Sequence, residues 1–270
     1  MRTGILAAVA MLAFAVPAQA QRWFPEAGTR SYHYESEEHR GQAVQGYRLD
    51  FDIVSDGKGG MVAVIRKAEQ LADGVVSASQ IDDACRTAMH AGPGEVARVT
   101  LSPVAAPGDA LGDSFLAPCA PVQLFLAISD VFSVTIVQVA PQFGLAGLAK
   151  PGDSFRFAAF PSSFSRGGVL VEIQTPGGTT GFTSLEGGIA RVDWNPDPGT
   201  MKLVDTRSIP GRTMKADGRH DSALSIDIDR ATGNLVRAES NGSFDLLLDI
   251  PDAPPIPASL TRNFKIVPRP

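Results

Sequence analysis

Apolar and polar residues take turns along most of this chain. Tyr47, Leu49, Phe51 and Ile53 share one parity while Arg48, Asp50 and Asp52 share the other, the pattern of a strand with one buried face. Asp56-Gly57-Lys58-Gly59-Gly60 supplies residues that tolerate positive φ, and the apolar run Met61 to Ile65 follows, so a hairpin is expected there. Asp73-Gly74 marks a second turn. The alternation returns after Lys150-Pro151-Gly152-Asp153, which introduces Phe155 and Phe157. It continues in Val169, Val171 and Ile173, then in Ala190, Val192 and Trp194, then in Leu224, Ile226 and Ile228. Phe244, Leu246, Leu248 and Ile250 repeat it, and Phe264 and Ile266 make a last short strand. Pro176-Gly177-Gly178, Asn195 to Gly199 and Asp229 to Gly233 read as the turns between them, the last with Gly placed for a bulged hairpin. Strands at this spacing predict an antiparallel sheet or barrel.

Two segments break the alternation. Ser79 stands three residues before Asp82, an arrangement that can cap a helix running to about His90, before Gly92-Pro93-Gly94 ends it. A strand from Val96 to Leu101 and a Pro/Gly/Ala-rich loop from Pro103 to Pro121 follow. Val122 to Val139 is the most apolar stretch beyond the first twenty residues. Phe125, Ile128, Phe132, Ile136 and Val139 recur in it at helical spacing, which predicts a buried helix. Its β-branched second half, Val131 to Val139, leaves a strand open as the alternative. A membrane span is the least favoured of the three readings, because Asp130 falls near its centre, where a charge costs roughly 2.5–3.5 kcal/mol or more.

The chain begins with Arg2, an uncharged apolar run from Ile5 to Val16, then Pro17 and Ala18-Gln19-Ala20. This is the form of a secretory signal peptide, residues 1–20, cut between Ala20 and Gln21. Its apolar core is too short to cross a bilayer of ~30 Å. The rest, residues 21–270, is long enough for a single β-rich domain in the periplasm or outside the cell. Loss of Arg2 takes the formal charge of −5 to −6, which argues against nucleic acid or anionic lipid surfaces as electrostatic partners. In an exported chain, the two cysteines, Cys85 and Cys119, are expected to form a disulfide worth about 3–4 kcal/mol in the chain-entropy account.

Candidate chemistry is sparse. No nucleophile elbow, zinc-protease helix, Walker loop or dinucleotide fingerprint is present, so no cofactor and no catalytic residue is expected. His33, Glu35, Glu37 and His39 share a parity, but alternate side chains on a strand lie ~6.6–6.8 Å apart, too far to converge on one metal ion. His220-Asp221-Ser222 has the letters of a catalytic triad. Consecutive strand residues point to opposite faces, so these three cannot form one. Asp227, Asp229 and Gly233 resemble part of a calcium loop whose acidic closing ligand would fall on Ala238; the segment reads as a turn. Asn241-Gly242 is a further turn signal.

Tyr32-x-Tyr34, the Asp56 to Gly60 hairpin, the apolar helix ending at Pro141, Lys150-Pro151-Gly152-Asp153-Ser154-Phe155, and Asp227 to Leu235 occur in an order that resembles exported bacterial proteins of unknown function with a lipoprotein-carrier-like architecture. The resemblance implies a mainly β (α+β) fold: a curved antiparallel sheet or half-barrel with one or two helices packed on its concave face. It implies no catalytic residue. The expected role is a non-catalytic binding or carrier module for an apolar ligand, a lipid or acyl chain, touching Phe125, Ile128 and Phe132. Alternatives are that these three are simply core, that the chain is an envelope module binding a partner protein, and, more remotely, that it is a hydrolase with an unrecognised site.

Overall fold

The computed structural model describes residues 22–101, 122–166, 169–206 and 211–270. Its strands are β1 Gly28–Arg40, β2 Ala43–Ser55, β3 Met61–Ala72, β4 Val75–Ala78, β5 Ala97–Leu101 and β6 Ser154–Arg166. They continue with β7 Val169–Glu186, β8 Ile189–Pro196, β9 Gly199–Asp205, β10 Met214–Asp229, β11 Leu235–Asp249 and β12 Ile256–Pro268. All twelve belong to one antiparallel sheet in the order β4-β3-β2-β1-β12-β11-β10-β8-β7-β6, with β5 on β3 and β9 between β10 and β7. The ladder from Tyr32↔Pro268 to His39↔Thr261 sets the first and last strands side by side in mid-sheet.

The alternation places the core. On β1, Tyr32, Tyr34, Ser36 and Glu38 are buried, and on β2 so are Tyr47, Leu49, Phe51 and Ile53. Against them packs the helix α2, Val122–Val139, which contacts β2 most, then the single helical turn Leu145–Gly147, β1 and β5; α1 is the short Asp83–Ala88. Leu124, Ala127, Ile128, Val131, Phe132, Val134 and Val137 are all buried, as are Thr135 and Gln138. A helix apolar on nearly every side is stable only when enclosed. The β-branched half therefore stays helical, because burial on all faces outweighs its modest strand preference. Among the described residues no helix is long and apolar enough to cross a membrane.

The segment before β1 is tied into this core. Trp23 is buried, donates from Nε1 to the Leu148 carbonyl at 3.2 Å and meets Phe182 edge-on. The Arg230 guanidinium lies 3.5 Å over its ring. Gln138 of α2 donates from Nε2 to the carbonyls of Trp23, at 2.7 Å, and Gly233, at 2.6 Å, joining the segment, the helix and the β10–β11 turn.

Several local expectations need correction. Asp82, not Ser79, caps α1, accepting from the Cys85 amide at 2.7 Å, and Ser79 instead hydrogen-bonds the Tyr47 hydroxyl. Pro176-Gly177-Gly178 does not turn the chain but lies inside β7. A Cβ on Gly178 would meet the Phe157 ring at 2.2 Å, so the glycine is there for close packing beneath Phe157 and Trp194, whose rings stack at 5.6 Å. Asn241-Gly242 is likewise mid-strand in β11, with Gly242 opposite Arg262. The final strand, expected from Phe264 and Ile266 to be short, has 13 residues because it pairs with both β1 and β11. Cys85 is buried on α1, and Cys119 lies outside the described residues.

Candidate functional site

The inner face of the sheet does not end where the core ends. Leu224 of β10 and Phe264 of β12 belong to the contiguous core. Beyond them, towards the β11–β12 turn, the same face continues in rows set by the strand register. One row runs Gly199, His220, Phe244, Leu260 across β9, β10, β11 and β12. The next runs Ser162, Ile173, Met201, Gly218, Leu246, Ala258 from β6 to β12. A third places Val171, Leu203, Ala216, Leu248 and Ile256 together. Six strands at ~4.8 Å spacing make this face about 24 Å wide.

Apart from His220, the rows hold apolar, small or uncharged side chains. Phe244, Leu246, Leu248, Leu260, Met201 and Leu203 are half-buried, and Ile256 is 44% exposed. Val171 and Ala216 are buried yet lie outside the contiguous core. The opposite face of the same strands carries exposed Lys202, Lys215, Asp217, Arg219, Asp245 and Asp249, with Leu247 at 51% exposure among them, so the outer surface is mostly polar. His220 stacks beside Phe244 with ring centroids 6.3 Å apart. Burial pushes its imidazole below the usual histidine value, opposed by a backbone hydrogen bond with Gln174 and by the charge of Asp221.

A buried polar cluster bounds the face. One inner position beyond Leu260 on β12 is Arg262, which donates from Nη2 to Asp130 Oδ2 of α2 at 2.8 Å and to the Tyr34 hydroxyl at 3.0 Å. Tyr34 in turn donates to Asp130 Oδ2 at 2.6 Å, and Arg262 Nη1 stands 3.5 Å from Glu38 Oε2. Burial raises the Asp130 carboxyl above its ordinary value, and the Arg262 charge opposes it. Burial, then the neighbouring Asp130 charge, holds the Tyr34 phenol well above its usual range. For Arg262 burial acts to lower the value, but Asp130 and Tyr34 outweigh it, so the guanidinium stays charged.

No family model and no curated protein matches the chain. Among solved structures it matches two mutants of the Rh. blastica porin, at 8% and 9% identity, over 90% of this chain and 99% of that chain, each with a TM-score of 0.19. A likeness at that score carries no argument about fold or role.

The residues singled out from sequence fall in different places. Ile128 and Phe132 are buried in the core, at 3% and 5% exposure; Phe125 lies on α2. Ala20 and Gln21, at the expected cleavage point, lie outside the described residues. His33 and His39 stand on the outer side of β1, His33 beside Asp50 at 2.8 Å and His39 near Glu37 at 3.5 Å. Among the described residues no three His, Cys, Asp or Glu side chains gather where a metal could bind. His220 and Ser222 face inward on β10 while Asp221 is exposed on the other side. Asp229 closes the β10–β11 turn, accepting from Ala231 N at 2.8 Å and Thr232 Oγ1 at 3.0 Å. A cavity between Pro25, Tyr32, Met61, Thr135 and Gln138 holds about 20 Å³, room for roughly one water.

Sequence reasoning missed the three rows. β9 and the residues of β10 before His220 carry no strand signal in the sequence, since Met201-Lys202-Leu203 is too short an alternation and Gly218 interrupts the pattern around Ala216. The continuation Phe244, Leu246, Leu248 was visible, but not what lay opposite it.

Proposed function

We propose that this chain is an exported, non-catalytic binding or carrier module for an apolar ligand, a lipid or acyl chain. In this reading the leader is removed between Ala20 and Gln21, the product works in the periplasm, and a Cys85–Cys119 disulfide pins α1 to the following loop. The sheet curves as a half-barrel with α2 packed into its concave side. The observation that carries the reading is the apolar face across β6 to β12, which continues past the core and is only half covered. Leaving such a face against water is unfavourable by about 25 cal/mol per Å² of apolar area, so a ligand that dries it is stabilised there. Ile128 and Phe132, being packed in the core, serve as its floor and support; Leu246, Leu248, Leu260 and Met201 take the role of ligand contacts.

Native mass spectrometry of protein purified from cell envelopes tests this. Wild type should carry a lipid-sized adduct, and Leu246→Glu should lose it while keeping the wild-type circular dichroism spectrum. Consistent recovery of the bare wild-type chain would sink the carrier reading.

A second reading, an envelope interaction module, is favoured by β4. This four-residue strand is exposed throughout at the sheet edge, with Val75 at 68% and Val76 at 41%. An open edge of this kind can accept a strand from a partner. Crosslinking from position 75 in intact envelopes should capture a specific protein if that reading holds, and nothing above control if it does not.

A further inference from the structure

We propose that the ligand of the apolar face is a single-chain amphiphile with an uncharged, hydroxyl-bearing head, its tail on the three rows and its head beside Asp130, Glu38 and Arg262. This inference rests on the binding reading given above and specifies the ligand class.

The geometry orients the amphiphile. Leu260 and Arg262 are successive inner positions on β12, about 6.8 Å apart, so the apolar rows run directly into the polar cluster. Across from Arg262 on β11 stands Gly242, and beyond it on β10 Ser222, so no bulky side chain separates the cluster from the rows on that side. At the far ends of the rows on β11 and β12, Leu248 and Ile256 offer only apolar side chains, and the buried Asp205, the next inner position after Leu203 on β9, is already engaged in an interaction of its own. A polar head is therefore accommodated at one end only.

Charge selects the head. The Arg262 guanidinium is already bonded to Asp130 at 2.8 Å and faces Glu38 at 3.5 Å. An anionic head would meet two carboxylates around a cation that is in use, and would lose its hydration for no new partner. A hydroxyl is different. Among the described residues the hydrogen bonds of the Asp130 carboxylate all run to Oδ2, from Tyr34 and from Arg262 Nε and Nη2, and its side chain keeps 19% of its surface accessible. Oδ1 is left to accept from a hydroxyl donor at no cost in charge.

The test compares glycerol monooleate with oleate, one tail with two heads, each below its aggregation concentration at neutral pH, by tryptophan fluorescence and native mass spectrometry. Wild type should bind glycerol monooleate tighter by about tenfold or more, the scale of one unpaired buried polar group. Asp130→Asn should narrow that gap by strengthening oleate binding. Leu246→Glu should weaken both ligands alike. Oleate binding as tightly as glycerol monooleate to wild type overturns the head assignment and leaves the apolar-face reading standing. Failure of folded wild type to bind either overturns both. A sedimentation profile showing a dimer that Leu246→Glu converts to monomer would assign the face to a second copy of the chain and overturn the proposal.

Discussion

Asp130 shows how much one side chain can owe to its place. On an isolated helix it is an interruption in an apolar run; in the fold it is the point where α2 is fastened to β1 and β12 through Tyr34 and Arg262. With the two ionic side chains only 19% and 11% exposed, removing one leaves the other desolvated and under-paired. Asp130→Ala should cost about 3–5 kcal/mol in urea unfolding, and Asp130→Leu combined with Arg262→Met should recover much of it. A double-variant loss equal to the sum of the two single losses would show that the pair is not coupled. His220 makes a pH-dependent contribution. Its folded-state value lies below the ordinary 6.5, so the folded protein favours the neutral ring. The stability this supplies is complete above the unfolded-state value and is lost as pH falls through the folded one. Comparing unfolding midpoints near pH 7.5 and near pH 5.5, wild type should lose more on acidification than His220→Phe; parallel losses would exclude His220 as the group responsible.

At the scale of elements, glycines decide where strands approach closely. Gly178 sits under the Phe157 ring, and a Cβ there would also meet the Asn195 carbonyl and Pro196 Cα at 2.5 Å. Gly178→Val should lower stability by about 1–3 kcal/mol. Gly181→Val, three residues on in the same strand, meets open space and should be close to neutral in the same thermal melt. If both behave alike, crowding is not what Gly178 serves. The same residues explain a misreading. Pro176-Gly177-Gly178 has the composition of a turn, yet β7 continues through it from Val169 to Glu186, because β6 pairs along one side and β9, then β8, along the other. By contrast the β10–β11 turn was legible, since Asp229 and Gly233 act within a few residues and Gly233 takes the positive φ of 73° that the turn requires. Helix α2 was legible too, over its full length from Val122 to Val139.

For the whole molecule, the pairing of β1 with β12 means that neither end of the sheet is made by a chain end. Both edges are internal strands, so the fold is complete only when the last strand arrives. The expected Cys85–Cys119 bond belongs to this scale as well. Alkylation of unfolded, unreduced protein should add no mass, and alkylation after reduction should add two adducts. Two adducts without reduction would exclude the bond. Reduction of a bond that closes such a loop should lower stability by about 3–4 kcal/mol.

What the sequence determined by itself was whatever acts over short range: the alternating strands, the Asp56 to Gly60 and Asp229 to Gly233 turns, the buried helix with a charge at its centre, and the scarcity of catalytic letters. What only the tertiary structure decided was which segments face one another. Arg262 and Tyr34 are 228 residues apart in the chain and 3.0 Å apart in space, and no local pattern encodes that distance. The apolar rows are of the same kind: Met201, Gly218, Leu246 and Ala258 are unremarkable where they stand in the chain and become a surface only because β-strand register sets them abreast.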